Sequence, residues 1–311
     1  MSRLVRIGTR SSKLALAQVA EIYLSLSSFL HKIKLEIVPI KTSGDIYQSV
    51  KLAEIGGKGL FVKELEQALL ENKIDIAVHS SKDLPPVLHH QTVLASITER
   101  QNPFDALISH RKITSFFDLP KNAVIATSSP RRSAFLKKLL PTATIVDLRG
   151  NIDTRINKLN EKNFDAVVLA MAGLTRINQD HLVQHIFNEN EMLPATGQGF
   201  LALQTRADDL EIQQIASLVN HNESNICFTA EREFSATMQG GCLTPMASFA
   251  TINNNELMLK TAIISDCGLE YNFQQLNTQQ ISHEQAKKLG KDLAIKTKAE
   301  AGSLWQKIST L

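Results

Sequence analysis

The sequence predicts an α/β protein that consists of two similar α/β domains followed by a smaller α+β domain. Its 311 residues exceed the roughly 250–300 residues at which a single hydrophobic core stops growing. Short β-rich apolar runs alternate with amphipathic stretches up to Asp208, which is typical of βαβ units on a mostly parallel sheet. Beyond Asp208 the order changes to two helices, two or three strands and a last helix.

The alternation occurs twice, and it restarts after the polar segment 99–105, so we expect domain boundaries near 99, 197 and 220. The first occurrence of the pattern predicts strands at Leu4–Ile7, Leu35–Ile40, Ile74–Val78 and Val93–Ile97, and helices at Leu14–Leu26 and Leu60–Leu70. The second predicts strands at Ala106–Ile108, Val124–Ala126, Thr144–Val146 and Ala166–Ala170, and helices at Pro130–Leu140 and Ile152–Leu159. The last part predicts helices at Leu210–Val219 and Ser224–Met238, strands at Met246–Thr251 and Leu257–Ile264, and a final helix from His283 towards Leu311.

The composition excludes several classes of protein. With 43% hydrophobic and 21% charged residues, the chain is neither disordered nor fibrous. No run approaches the ~20 apolar residues that span a bilayer, and the N-terminus has no apolar signal segment, so we expect a cytoplasmic protein without membrane contact. The nine histidines and three cysteines lack metal-ligand or disulfide spacing, so no metal is expected. A nucleic-acid binder is not expected either, because aromatic residues are only 5% of the chain and none lies among the arginines.

Arginine is concentrated in turns that connect predicted strands to helices. Ser129 is a good N-cap and Pro130 a good first helical residue, so backbone N–H groups and a positive helix end would lie where arginines follow. Arg155 and Arg176 occur in comparable positions. Ordinary caps with solvated arginines are the alternative for any single turn, but the set predicts an anion-binding cleft that is lined by arginines. Nucleotide-binding glycine motifs are absent, so a nucleotide is not the indicated anion, and carboxylates fit the arginines at least as well as phosphates do. The turns are 7–12, 126–132 and 146–151.

A fourth predicted strand, Ile74–Val78, runs into a turn that contains Lys82 and Asp83. These two side chains could form a surface ion pair worth under about 1 kcal/mol. In an arginine-rich cleft, however, a carboxylate would repel an anionic ligand. The carboxylate of Asp83 could instead stabilise a positive charge that develops during a reaction. The attraction between two opposite charges about 4 Å apart is about 4 kcal/mol.

Two glycine-rich loops are further candidates. Cys242 follows two glycines in a loop between a predicted helix and strand, where a reactive thiol and a structural cysteine are equally compatible with the spacing. Cys227 and Cys267 lie in apolar stretches and are expected in the core. The stretch 43–59 predicts a mobile lid, with an ordinary surface loop as the alternative. The candidate lid residues are Ser43, Gly44, Asp45, Gly56, Gly57, Lys58 and Gly59.

Five segments together closely resemble the porphobilinogen deaminase family, and the match runs in order from Ile7 to about Pro245. The segments are HSSKDLP at 79–85, ATSSPRR at 126–132, LRGNIDTR at 148–155, LPATGQG at 193–199 and the GGC loop at 240–242. The resemblance implies two domains that resemble periplasmic binding proteins, with the active site between them. We therefore expect domain 1 at 1–98 and 198–219, domain 2 at 99–197, and domain 3, with the cofactor cysteine, at 220–311.

The resemblance also implies a reaction. A dipyrromethane cofactor, joined to Cys242 by a thioether, would act as a permanent primer to which four porphobilinogen units are added, each with loss of ammonia. Water would then release hydroxymethylbilane for haem biosynthesis. Asp83 would be the catalytic carboxylate and also contact the cofactor. Further cofactor contacts are implied for Lys82, Thr127, Ser128, Ser129, Arg131, Arg132 and Arg155, and substrate contacts for Arg10, Ser12, Gln18, Arg149, Gly150, Arg155, Ala170, Gly173, Arg176 and Gln198.

Some positions depart from the family pattern, and none is the cysteine, the acid or an arginine. Ser81 replaces a common methionine, Pro130 lies inside the SSxRR run, Phe200 and Gln204 replace alanine and glutamate, and 246–250 differs. These departures bear on local packing and on the lid and hinge.

The main alternative to this enzyme is a two-lobed binding protein that needs neither Cys242 nor Asp83, since a fold does not imply catalysis. The expected partner is porphobilinogen, bound by a monomer that hands its product to the next enzyme.

Overall fold

The structure is a computed structural model that describes residues 4–29, 33–42, 62–161, 164–240 and 244–309. The chain forms two compact units. The first comprises Met1–Gln101 and Phe200–Asn225, and the second comprises Asn102–Gly199 and Ile226–Leu311. The division into three domains stays a prediction.

The strands and helices follow one another closely along both units. The strands are β1 (Leu4–Arg10), β2 (Lys34–Ile40), β3 (Ile76–Ser80), β4 (Thr92–Ile97), β5 (Asp105–Ile108), β6 (Val124–Ala126), β7 (Thr144–Val146), β8 (Ala166–Ala170), β9 (His185–Ile186), β10 (Leu201–Arg206), β11 (Met246–Asn253), β12 (Glu256–Ile264) and β13 (Tyr271–Thr278). The helices are α1 (Lys13–Phe29), α2 (Lys63–Leu70), α3 (Pro130–Leu139), α4 (Ile152–Glu161), α5 (Met171–Arg176), α6 (Leu210–Ser217), α7 (Asn222–Met238), α8 (His283–Ala301) and α9 (Ser303–Ser309).

The first unit contains a five-stranded sheet in the order β2-β1-β3-β10-β4. β1 runs parallel to β2 and β3, whereas β10 runs antiparallel to β3 and β4. Alternate residues of β3 face opposite sides: Ile76 and Val78 join a core that contains Val19 of α1, and Ala77 joins a core that contains Leu65 of α2. Burial of both faces explains the continuous apolar run of β3.

The second unit contains a five-stranded sheet in the order β7-β6-β8-β5-β9, with β5 antiparallel to β8 and β9. Its strand order matches that of the first sheet, so the prediction of two similar α/β parts is confirmed. The same unit contains the three-stranded antiparallel sheet β11-β12-β13. Phe249 and Ile264 of this smaller sheet share a hydrophobic core with Phe135 of α3 and Val168 of β8.

Two details of the sequence interpretation are wrong, and two strands, β9 and β10, were not predicted. Within sheets that were expected to be mostly parallel, β5 and β10 are antiparallel to their neighbours, because each follows a crossing of the chain between the two units rather than a crossover helix. The last helix is interrupted at Gly302, whose φ of +48° ends α8. Cys267 is exposed in the turn between β12 and β13 instead of lying in the core, whereas Cys227 is buried as expected.

Candidate active site

The first group of site residues lies at the carboxyl edge of the sheet in the first unit. Because β1 and β3 are parallel neighbours, Arg10 and Ser80 at their ends lie at the same edge. Arg10, Ser12, Gln18 and Asp83 line a pocket at this edge. Gln18 Nε2 donates to Ser80 Oγ at 2.8 Å. The structure therefore brings four predicted site residues to one pocket.

Local backbone structure positions the members of this group. Ser12 Oγ accepts from the backbone N–H of Ala15 at 3.3 Å, so Ser12 caps the start of α1. Asp83 ends a single turn of 3₁₀ helix, Ser81–Asp83, that follows β3 directly, and Lys82 lies in the same turn. The acid and the lysine thus follow the strand end without an intervening loop.

His79 also lines this pocket, and the sequence interpretation did not single it out. Its Nε2 lies 2.9 Å from Gln204 Oε1, while Gln204 Nε2 donates to Glu66 Oε1 and to Thr92 Oγ1, both at 2.7 Å. The amide oxygen of Gln204 is therefore the acceptor, and Nε2 of His79 carries the proton. Burial is the main cause that lowers the pKa of His79 to about 4; the positive charge of Arg10 acts in the same direction, and the hydrogen bond with Gln204 acts against it. The pocket wall thus presents a neutral imidazole.

The second group lies in the second unit, in the turn between β6 and α3. Ser128 Oγ donates to the carbonyl oxygen of Leu148 at 2.7 Å. Ser129 Oγ accepts from the backbone N–H of Arg132 at 3.4 Å, and Pro130 occupies the first turn, so the predicted N-cap of α3 is confirmed. Thr127 Oγ1 accepts from the backbone N–H of Ser129 at 3.3 Å. The turn is held by its own hydroxyl groups.

Arg131 and Arg132 surround a buried carboxylate, Asp105, whose exposed fraction is 0%. Arg131 Nη2 lies 2.7 Å from Oδ2, and Arg132 Nη2 lies 2.8 Å from Oδ1. Gln198, a predicted substrate contact, donates to the same Oδ1 at 3.0 Å. Burial raises the pKa of Asp105, but the two guanidinium groups and the amide outweigh it and lower the pKa to about 2. The carboxylate is ionised at neutral pH.

The segment after β7 orients two further arginines. Arg149 Nε donates to Asp147 Oδ2 at 3.0 Å. Arg155 Nε donates to the carbonyl oxygen of Gly150 at 2.7 Å. Gly150 has a φ of +116°, and a Cβ there would lie 2.8 Å from Thr154, so the turn requires glycine. Arg155 is thereby tied to the turn that begins its own helix.

The end of β8 places three more predicted contacts. Ala170 is the N-cap of α5, Gly173 is buried within it and Arg176 is its last residue. Arg176 Nη2 donates to the carbonyl oxygen of Gly199 at 3.4 Å. This bond links the end of α5 to the turn that contains Gln198.

Glu231 and Asp105, like His79, are buried ionisable groups that sequence reasoning missed. Glu231 is 0% exposed, and its carboxylate accepts from the backbone N–H groups of Gly197 at 2.7 Å and Ala250 at 2.8 Å. Asp105 and His79 adjoin apolar runs, which is a weak signal of burial, whereas Glu231 is followed by two further charged residues and carries no such signal. Nothing in the sequence identifies the partners of these groups.

Some predictions fall outside the described residues. These are the proposed anchor Cys242 and the candidate lid at 43–59. Among the residues that the structure does describe, no helix is long and apolar enough to cross a membrane. Within the same ranges, no cluster of three or more histidine, cysteine or acidic side chains could hold a metal ion.

Comparison with known proteins gives consistent matches over most of the chain. Residues 5–214 match the family profile "Porphobilinogen deaminase, dipyromethane cofactor binding domain", and residues 225–299 match "Porphobilinogen deaminase, C-terminal domain". Porphobilinogen deaminase of Syntrophomonas wolfei is 40% identical, over 94% of this chain and 94% of that protein. Porphobilinogen deaminase of a Wolbachia strain from Drosophila simulans is 42% identical, over 96% and 99%. The chain therefore belongs to the porphobilinogen deaminase family.

Proposed function

We propose that the chain is a hydroxymethylbilane synthase in which Asp83 is the catalytic carboxylate and Cys242 anchors a dipyrromethane cofactor. Family membership supports the reaction, in which four porphobilinogen molecules are joined with loss of ammonia before hydrolysis releases hydroxymethylbilane. The cofactor binding domain of the family spans residues 5–214. The observation that carries the role of Asp83 is the pocket it shares with Arg10.

The side chains of the second unit fit a cofactor that bears carboxylates, and each pyrrole ring of dipyrromethane carries an acetate and a propionate. Asp105 compensates one of the two positive charges of Arg131 and Arg132, so this cluster keeps one positive charge. Arg131 Nε is buried and has no hydrogen-bond partner among the described residues, which suits a carboxylate oxygen. The residues that would hold the cofactor are Lys82, Asp83, Thr127, Ser128, Ser129, Arg131, Arg132, Arg155 and Cys242.

When bound, dipyrromethane supplies the electron-rich pyrrole carbon to which the first incoming ring is added. The side chains of the protein act on the incoming porphobilinogen. Arginines neutralise its two carboxylates. As the carbon–nitrogen bond to the leaving ammonia breaks, the electron pair departs with ammonia and the ring N–H becomes cationic. Asp83 stabilises this charge by about 4 kcal/mol at a distance of about 4 Å. The proposed substrate contacts are Arg10, Ser12, Gln18, Arg149, Gly150, Arg155, Ala170, Gly173, Arg176 and Gln198.

Intact-protein mass spectrometry tests the anchor. We expect the purified chain to exceed its bare mass by one dipyrromethane and Cys242→Ser to lack the increment. Cys267→Ser is the matched control, because its thiol is exposed in a turn, and it should keep the increment. A wild-type protein that turns over porphobilinogen at the mass of the bare chain would refute the thioether.

Asp83→Asn tests the catalytic carboxylate. Loss of about 4 kcal/mol of stabilisation should slow ammonia release about a thousandfold while the mass increment is retained. Asp266→Asn, which changes an exposed acid in the turn before β13, should release ammonia at the wild-type rate. Near-normal turnover by Asp83→Asn would remove this carboxylate from the mechanism.

Three further predictions concern location, oligomeric state and the fate of the product. We expect a cytoplasmic monomer that passes hydroxymethylbilane to the next enzyme of tetrapyrrole biosynthesis. Sedimentation of the purified protein measures the oligomeric state, and a dimer at working concentration would contradict the prediction of a monomer.

A further inference from the structure

Gln204 determines which nitrogen of His79 carries the proton. The hydroxyl of Thr92 donates to the carbonyl oxygen of His89 at 2.9 Å, so towards Gln204 it can only accept. Glu66 is likewise an acceptor, and Gln204 Nε2 donates to both, at 2.7 Å. The amide oxygen of Gln204 therefore faces His79 Nε2, 2.9 Å away, and this nitrogen is the protonated one. His79 Nδ1 keeps a lone pair, and none of the described residues donates to it.

The imidazole of His79 lines the same pocket as Asp83, at the end of β3. The pocket thus offers two different hydrogen-bond acceptors. Asp83 offers a charged carboxylate, whereas His79 offers the lone pair of a neutral ring. Arg10, which lines the pocket as well, can only donate. Gln18 lies at the same place, and its amide nitrogen is already bound to Ser80 Oγ at 2.8 Å. A ligand with two separate N–H groups would find an acceptor for each.

Porphobilinogen has two such groups, the ring N–H and the aminomethyl group, which is an ammonium at neutral pH. The ring N–H becomes cationic during the reaction, so a carboxylate beside it stabilises the transition state. The ammonium changes in the opposite direction. Its carbon–nitrogen bond breaks, the electron pair of that bond stays with nitrogen, and neutral ammonia leaves with its three protons. A carboxylate at the leaving group would stabilise the starting ammonium more than the transition state, and a neutral acceptor largely avoids this cost.

We propose that His79 contacts the leaving group of porphobilinogen, with Nδ1 accepting a hydrogen bond from the aminomethyl nitrogen. This contact holds the carbon–nitrogen bond out of the plane of the pyrrole ring, the orientation in which the ring electrons can expel ammonia. Gln204 and Glu66 are positioning residues that keep the proton on Nε2. The inference rests on the proposed function and adds to it a contact with the group that leaves.

Two variants of His79 separate this contact from a structural role. A glutamine amide nitrogen can replace Nε2, so His79→Gln keeps the bond to Gln204 and lacks an acceptor at the position of Nδ1. The shorter asparagine can place its amide oxygen near that position, so His79→Asn keeps an acceptor and loses the bond to Gln204.

Ammonia release in a single turnover is measured with the holoenzyme, per molecule that carries the dipyrromethane increment. His79→Gln should be about 10–100-fold slower than wild type, the size expected for a lost hydrogen bond to a charged group. His79→Asn should fall between the two, although its Tm should be the lowest of the three. A wild-type rate in His79→Gln, or rates that follow the order of Tm, would overturn the proposal.

Binding of an analogue that has a methyl group in place of the aminomethyl group is the control. Its inhibition constant should be the same for wild type and His79→Gln, because it has no leaving group to contact, and a tenfold change would overturn the proposal. Nitrogen-15 NMR of the wild-type protein keeps the test decisive if a variant fails to fold. Near about pH 5, where exposed histidines are charged, it should show a neutral ring protonated at Nε2. Protonation of that ring at Nδ1 would overturn the proposal.

The two levels of the argument fail in different ways. A wild-type holoenzyme that releases no ammonia from porphobilinogen would refute the proposed function, and the inference with it. A wild-type enzyme that releases ammonia no faster than His79→Gln would refute the contact alone.

Discussion

Replacing His79 with glutamine should make the free energy of unfolding less dependent on pH. The folded protein holds this imidazole neutral, because it is only 5% exposed and lies near the positive charge of Arg10. A glutamine amide can still donate to Gln204 Oε1, which now accepts from His79 Nε2 at 2.9 Å. The substitution therefore removes the titrating group and keeps its hydrogen bond.

The expected size follows from the pKa. Burial lowers the pKa of His79 from 6.5 to about 4, so the unfolded chain takes up a proton at a pH where the folded chain does not. Stability is therefore fully present above about pH 7 and is lost as the pH falls from about 6.5 to about 4. The full loss corresponds to about 3 kcal/mol, and about 2 kcal/mol of it falls between about pH 7.5 and about pH 5.

Urea unfolding followed by circular dichroism at about pH 7.5 and about pH 5 measures this difference. The wild-type protein should lose about 2 kcal/mol more than His79→Gln between the two pH values. His110→Gln, at an exposed position, controls for the loss of a histidine. If wild type and His79→Gln lose the same free energy, the imidazole is not held neutral by burial and the reasoning fails.

Two further predictions concern buried polar groups of the first unit. Asp75→Asn should lower the free energy of unfolding, measured in urea, by about 3 kcal/mol, because Asp75 pairs with Arg6 at 3.0 Å and with Arg206 at 3.3 Å. A decrease below about 1 kcal/mol would contradict this expectation. Ser81→Ala should raise the free energy of unfolding by about 1 kcal/mol, since its buried hydroxyl has no hydrogen-bond partner within the described ranges; a destabilised variant would count against it.

Much of the local structure was predictable from the sequence. The N-cap Ser129 with Pro130 after it predicts where α3 begins, since both signals act within one turn. The turns that carry Arg10 and Arg131 are likewise predicted, because parallel strands end at one edge. The apolar context of Cys267 gave a wrong prediction, since neighbours in sequence do not determine whether a turn is covered.

The assignment of the active-site residues depends on both the sequence and the tertiary structure. Composition and five ordered segments are sufficient to identify the family, and they select Asp83, Cys242 and the arginines as candidates. They do not reveal that Arg132 is fully engaged by Asp105 and Val168 while Arg131 keeps a buried nitrogen without a partner. That distinction depends on contacts between β5, β8 and α3, which are far apart in the sequence and adjacent only in the folded chain.

The sequence by itself therefore determined the α/β class, the order of strands and helices and the family. Only the tertiary structure decided the direction of β5, the pairing of Asp105 with both arginines and the neutral state of His79. The physical reason is that helix and strand signals act between residues a few positions apart. Burial and ion pairing instead depend on contacts between residues far apart in the chain, such as the 27 positions that separate Asp105 from Arg132.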